Sequence, residues 1–154
     1  MNIGIASKDR EALANQLSYL LADSYFVYQT THGYHWNVTG PLFTNLHTLF
    51  MEQYQELWNA LDDIAERIRT LGHYAPYSYR EFRELSKIAE HDGAPNALEM
   101  IKNLIQGQEQ LIESARAVIP LAELAGDETT LGLVTQRLAA HEKNAWILRS
   151  SLGT

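Results

Sequence analysis

The chain has 154 residues, of which 45% are hydrophobic and 20% charged, a balance that excludes a disordered or fibrous chain and suits a single domain over residues 1–154. Twelve lysines and arginines stand against 19 aspartates and glutamates, a formal net charge of −7, which argues against binding that draws on clustered cations. Cysteine is absent, so disulfides, thiolate metal sites and cysteine nucleophiles are excluded. The first residues lack the apolar run of a signal peptide, and no stretch of 18 apolar residues occurs. The expectation is therefore no membrane span and a cytoplasmic location.

Apolar residues recur at three- and four-residue intervals almost throughout, and strand-like alternation is nearly absent. The first helix is predicted from about Lys8 to Trp36, with Ser7 as N-cap and Asp9 and Glu11 in the first turn. Leu13, Leu17, Leu20, Leu21, Ser24, Tyr28 and Thr31 trace its inner face, and Thr39-Gly40-Pro41 breaks it.

The second helix is predicted from about Leu42 to Leu71, with Gly72 as its stop. At roughly 100° per residue, Leu46, Phe50, Leu57, Leu61, Ile64, Ile68 and Leu71 share one stripe, the core face. Thr48, Glu52, Glu56, Asn59, Asp63, Arg67 and Thr70 fall on the opposite, wet side. A third stripe carries His47, Met51, Tyr54, Trp58, Asp62 and Ala65, with Glu66 at its edge. Large aromatics outside the core stripe point to a second buried contact.

The connection between His73 and Pro95 is too long for a hairpin, and Ser78-Tyr79-Arg80-Glu81 within it is a capping-box pattern for a short helix over Tyr79–Leu85. The third long helix is predicted to start near Pro95, with Leu98, Ile101, Leu104, Ile105, Ile112, Ala115 and Ile119 inward and Pro120 ending or kinking it. Gly126-Asp127 marks a stop and a new N-cap. A last helix over about Glu128 to Leu152 follows, with Leu131, Val134, Leu138, Ala145 and Leu148 inside. The expected architecture is an all-α four-helix bundle with one long crossover carrying a short extra helix.

Bundles that hold two metals in their core use Glu-x-x-His motifs on facing helices, and none of the six histidines has a glutamate three residues before it. A different set is present. His35 ends the first helix, His47 opens the second, and Asp62 and Glu66 lie one turn apart near its far end. Imidazole with carboxylate suits ferrous iron, manganese or zinc. His47 and Asp62 are 15 residues apart on one helix, roughly 22 Å at 1.5 Å per residue, so one chain cannot bring both to one ion. An antiparallel two-fold pairing of second helices, centred between Tyr54 and Gln55, would set His47 of each copy opposite Asp62 of the other. Each of two sites would then take His35 and His47 from one copy and Asp62 and Glu66 from its mate. A solvated charged face and hydrogen-bonded histidines are the plainer alternative.

The run His35-Trp36-Asn37-Val38-Thr39-Gly40-Pro41-Leu42-Phe43, followed by Leu46-His47, Asp62 and Ala65-Glu66-Arg67, resembles the signature of the Dps miniferritins, the DNA-binding proteins from starved cells. The short helix in the connection and His141-Glu142-Lys143 are also similar. The resemblance implies a ferritin-like fold and a hollow homododecamer built from two-fold dimers. It further implies iron storage, with ferrous iron oxidised by hydrogen peroxide or oxygen at sites between subunits and ferric mineral kept inside. His35, His47, Asp62 and Glu66 are the implied ligands, with Glu66 the bridge between irons, and the activity is that of a ferroxidase acting against oxidative stress. Trp36, beside the first ligand, is a candidate electron donor or radical trap, with packing the plainer alternative. His32, one turn before His35, is a candidate outer partner, with a capping or solvent-facing role the plainer alternative. The resemblance implies Asp127 and Glu128 as residues of an entry pore for cations, and helix capping accounts for them equally. One position departs. The family's usual acid four residues after the second histidine is Met51 here, and Glu52 points roughly 140° around the helix from His47. A thioether suits hard iron poorly, so a divalent-metal buffer with little turnover is one rival reading. The other is a DNA-protecting nucleoid shell. No basic residue precedes Ser7, and twelve copies would carry roughly −84, repelling phosphates, so weak or no DNA binding is expected.

Overall fold

The computed structural model describes residues 1–153, and the described residues form helices and no strands. Four long helices, α1 (Ser7–Asn37), α2 (Phe43–Thr70), α4 (Ala97–Arg116) and α6 (Glu128–Ser151), make the bundle, and two short ones, α3 (Tyr79–Leu85) and α5 (Ile119–Ala125), sit in its connections. α1 packs on α2 and α4, and α6 packs on α4 and α2. None of the described helices is long and apolar enough to cross a membrane.

Local signals explain most boundaries. Ser78 and Glu81 close a full capping box at α3. Gly126 takes the left-handed conformation that ends α5, at φ 63°, and Asp127 caps α6 by accepting from the Thr130 amide. Three expectations change. Ser7 is the first helical residue, and Ala6 stands at the N-cap with no side-chain bond. Asn96, not Pro95, starts α4, accepting from the Glu99 amide at 3.0 Å. The chain breaks at Ala117–Val118, so Pro120 opens α5 rather than ending α4, as suits a residue with no amide hydrogen to offer.

The α2 core stripe is buried as its periodicity requires, with Phe50, Leu57, Ile64, Ile68 and Leu71 wholly inaccessible and Leu61 half-buried. Leu98 departs from expectation and is exposed. Gly107 lets α4 approach α1 closely, since a Cβ there would stand 3.0 Å from Val27 Cγ2.

The core is two apolar clusters rather than one. Leu17, Leu57, Leu111 and Leu138 belong to the first, and Tyr34, Phe50, Leu104 and Leu148 to the second. Between them lies a polar layer of Gln53, Gln108 and His141, all buried. His141 Nδ1–H donates to Gln108 Oε1 at 2.8 Å, and Arg137 bridges His141 to the Glu56 carboxylate. Glu56 is thus drawn onto α6 rather than left on the wet side. Burial, and then the Arg137 charge, push the His141 imidazole down to about 3.

The crossover is anchored by a buried carboxylate. Asp23 on α1 accepts from Ser86 Oγ at 2.8 Å, from the Lys87 amide at 2.8 Å and from Ser114 Oγ at 2.6 Å. It therefore ties the end of α3 and the side of α4 to α1.

Asp23→Ala would leave those donors buried and unmet, and we expect a loss of about 2–4 kcal/mol in urea unfolding. His141 folds neutral, while an unfolded histidine takes up a proton below about pH 6.5. Its contribution to stability is therefore complete above that pH and declines as pH falls from there toward its folded value of about 3. Urea midpoints measured from pH 7.5 to 4.5 should fall less steeply for His141→Gln than for the wild type.

Candidate metal centre

The α1–α2 corner brings His35 and His47 together. α1 ends at Asn37 and α2 begins at Phe43, so the last turn of one helix lies beside the first turn of the other. His35 Nδ1–H donates to the His47 carbonyl at 2.7 Å, and His47 Nδ1–H donates to the His35 carbonyl at 2.8 Å. A carbonyl can only accept, so each neutral ring carries its proton on Nδ1 and keeps the Nε2 lone pair unused. The rings stack with centroids 3.8 Å apart and planes 18° apart. This arrangement fixes two imidazole donors side by side, as backbone anchoring does at histidine metal sites. His35 is buried and His47 half-buried.

Neighbouring rings hold the pair. Phe43 stacks on His47 at 5.0 Å. It stands four residues earlier on α2, a helical spacing that marks it as a neighbour, although the sequence reading did not single it out. His32 lies between Tyr54, at 4.1 Å, and Trp36, at 4.2 Å, with its own centroid 6.3 Å from that of His35. Burial, with a smaller contribution from His35, holds the His32 imidazole below its ordinary value. Trp36 is 66% exposed in the single chain. Met51, one turn after His47, is half-buried, while Glu52 is exposed.

Asp62 and Glu66 are not brought to the histidines. Both are exposed on α2, and an unbroken helix separates Asp62 from His47. Among the described residues no three of His, Asp and Glu converge on a common point. Asp62 instead lines a cavity of about 510 Å³ between α1, α2 and α3, whose walls include Tyr25, Trp58, Pro76, Tyr77 and Phe82. Trp58 is 62% exposed, so the third stripe of α2 is an uncovered aromatic face in the single chain.

The two acids at the start of α6 differ. Asp127 is buried, and its carboxylate receives both Arg67 Nη2 contacts at 2.8 Å and the Thr130 hydroxyl at 2.5 Å. Burial alone would raise its pKa, but bonds from Thr130 and Arg67 outweigh it and hold the carboxyl below its ordinary range. Arg67, expected on the wet side, is thereby turned onto α6. Glu128 is exposed.

A profile of the Ferritin-like domain matches residues 14–154. The chain is 41% identical to an uncharacterised low temperature-induced protein of Nostoc, over 97% of this chain and 85% of that one. It is 32% identical to DNA protection during starvation protein 2 of Bacillus anthracis, over 86% and 90%. Its fold superposes on the crystal structure of a Dps protein from Vibrio cholerae with a TM-score of 0.94 and 34% identity, covering 99% of this chain and 96% of that chain. That protein is described as a member of a broad superfamily of ferritin-like diiron-carboxylate proteins. With its four-helix bundle, its α3-bearing crossover and these relatives, the chain belongs to the Dps family of ferritin-like proteins.

Proposed function

We propose that the protein is a ferroxidase and iron store. Its substrate is ferrous iron, its oxidant hydrogen peroxide or oxygen, and its sites lie between two copies of the chain. The observation that carries this reading is the reciprocal His35–His47 clasp, which presents two unprotonated Nε2 atoms with no carboxylate of the same chain beside them. A pair of neutral imidazoles needs anionic partners to balance a divalent ion.

The two-fold pairing of α2 helices supplies those partners. Centred between Tyr54 and Gln55, it sets Asp62 opposite His47 and Glu66 opposite Phe43 of the other copy. Leu42 and Phe43, both exposed at the corner, would then approach the cavity beside the mate's Asp62. The uncovered Trp58 face would become a contact, as isologous packing requires. The description of the Vibrio cholerae Dps protein as a ferritin-like diiron-carboxylate protein supports the choice of iron.

In this reading His35 and His47 donate Nε2 lone pairs, and their Nδ1–H bonds stop the rings turning away. Asp62 and Glu66 of the mate would balance the charge, and Glu66, at the edge of the stripe, would be the bridge where two ions bind. Met51 offers no hard ligand, so the second ion is held more weakly than the first. Peroxide takes the electrons and ferric product hydrolyses inside a twelve-subunit shell. Glu52 and Asp63 remain as exposed acids for nucleation, whereas Glu56 is committed to Arg137. Of the pore candidates, Asp127 is engaged by Arg67, leaving Glu128 to meet incoming cations. Ferrous iron and peroxide are consumed together, which denies the cell the pair that makes hydroxyl radical.

When ferrous iron is added anaerobically and peroxide follows, ferric absorbance should rise quickly in the wild type. It should rise roughly tenfold or more slowly in His47→Ala and in Asp62→Ala. Assemblies mixed from the two variants should recover part of the rate, because a mixed pair rebuilds one intact site; failure to recover would mean that each chain acts alone. Size exclusion should give a particle near roughly 210 kDa, twelve copies of the 17.5 kDa chain. DNA should not shift on a gel at physiological salt without added divalent metal, since the net charge is −7 and Arg116 and Arg149 are paired with Glu142 and Glu109.

A further inference from the structure

Every ring-to-ring contact among the described residues belongs to one connected file that starts at the His35–His47 pair. Its spine is made of tyrosines. His35 lies 5.3 Å from Tyr54, Tyr54 lies 6.3 Å from Tyr28, Tyr28 lies 6.2 Å from Tyr25, and Tyr25 lies 6.0 Å from Tyr79, all between ring centroids. Tyr79 is 71% exposed at the start of α3 in the single chain.

Tyr25 and Tyr28 pack against the first apolar cluster, but the file also runs beyond the core, through half-buried Tyr54 to exposed Tyr79. Phe50 is fully buried and Tyr34 nearly so, yet neither has a ring partner. The file runs instead along the half-covered side of α1 and the third stripe of α2. It connects the one place where iron is proposed to react with the surface of the crossover. The chain has no cysteine, so its oxidisable side chains are the aromatic rings and three methionines.

We infer that Tyr54, Tyr28, Tyr25 and Tyr79 form a relay that carries a one-electron oxidising equivalent from the iron site to the protein surface. The inference rests on the ferroxidase reading and goes beyond it. Met51 leaves one well-liganded iron per site, and a single ferrous ion can give peroxide only one electron. That step yields ferric ion, hydroxide and hydroxyl radical. The radical takes a hydrogen atom from the Tyr54 phenol, giving water and a Tyr54 phenoxyl. Tyr28 then passes a hydrogen atom to Tyr54, Tyr25 to Tyr28 and Tyr79 to Tyr25. The Tyr79 phenoxyl is reduced by a ferrous ion in solution, which supplies the electron while water supplies the proton. In sum, two ferrous ions and one peroxide give two ferric ions and two hydroxides, the water formed at Tyr54 replacing the one consumed at Tyr79. The relay thus recruits the second electron from an ion that never enters the site, and the radical ends as water.

The test uses the whole assembled protein loaded with ferrous iron anaerobically and then given peroxide in the presence of a nitroso spin trap, with adducts located by mass spectrometry. In the wild type the adduct should concentrate on Tyr79. Tyr28→Phe keeps the ring but removes the transferable hydrogen, so it should shift the adduct to Tyr54 and lower Tyr79 labelling severalfold, with the first ferric rise unchanged. Tyr79→Phe should move the adduct to Tyr25. A normal ferric rise with the same labelling in wild type and Tyr28→Phe, or with no tyrosine labelled, would overturn the relay and leave the ferroxidase standing. An absent ferric rise in the wild type would overturn both.

Discussion

A helix advances about 1.5 Å per residue, and α2 runs without a break from Phe43 to Thr70. Its imidazole and its two distal carboxylates therefore stand at a fixed separation that no side-chain rotation can close. At the histidine end, the backbone of each histidine anchors the ring of the other. At the carboxylate end, Asp62 lies beside an open cavity. In the proposed reading these are two halves of a site at opposite ends of a rigid rod, with exposed Trp58 between them, and a reversed copy brings them together. The proposed chemistry thus inherits its location from elementary helix geometry.

The corner does more than join two helices. Phe43 stacks on His47, His47 on His35, and His32 on Tyr54, so rings of α1 and α2 interleave across the corner. Packing of flat rings restricts each imidazole to one orientation, and the reciprocal carbonyl bonds select one tautomer. The same stack that fixes the donors also begins the tyrosine file. Orientation of the ligands and removal of stray oxidant would then be two results of one set of contacts.

Much of the fold was legible from periodicity. The α2 stripe of Leu46, Phe50, Leu57, Ile64, Ile68 and Leu71 is buried as spacing demands, and the Ser78 capping box and the Gly126-Asp127 junction are local signals read locally. The polar layer was not legible. Gln53, Gln108 and His141 stand where an apolar stripe would be expected, and the one bond among them joins residues 33 apart in the chain, His141 and Gln108. Asp23 is bonded across 63 to 91 residues, and hydropathy gave no sign that a carboxylate would be buried there. Glu56 and Arg67 were assigned to solvent because charge on an outer stripe usually is. Their guanidinium and carboxylate partners on α6 and at its cap turned them inward. At the candidate centre, the meeting of His35 and His47 follows from the short corner between helices. Asp62 and Glu66 were legible as a pair but not as neighbours of anything within one chain.

The division of the core into two apolar halves has a mechanical meaning. Hydrophobic packing transmits disturbance through direct contact, and here a layer of amides and an imidazole interrupts it. The half that holds Tyr34, Phe50 and Leu148 supports the corner where oxidation would occur. The half that holds Leu17, Leu111 and Val134 carries the anchored crossover. The polar layer of Gln53, Gln108 and His141 would act as a bulkhead between the corner and the half anchored by buried Asp23.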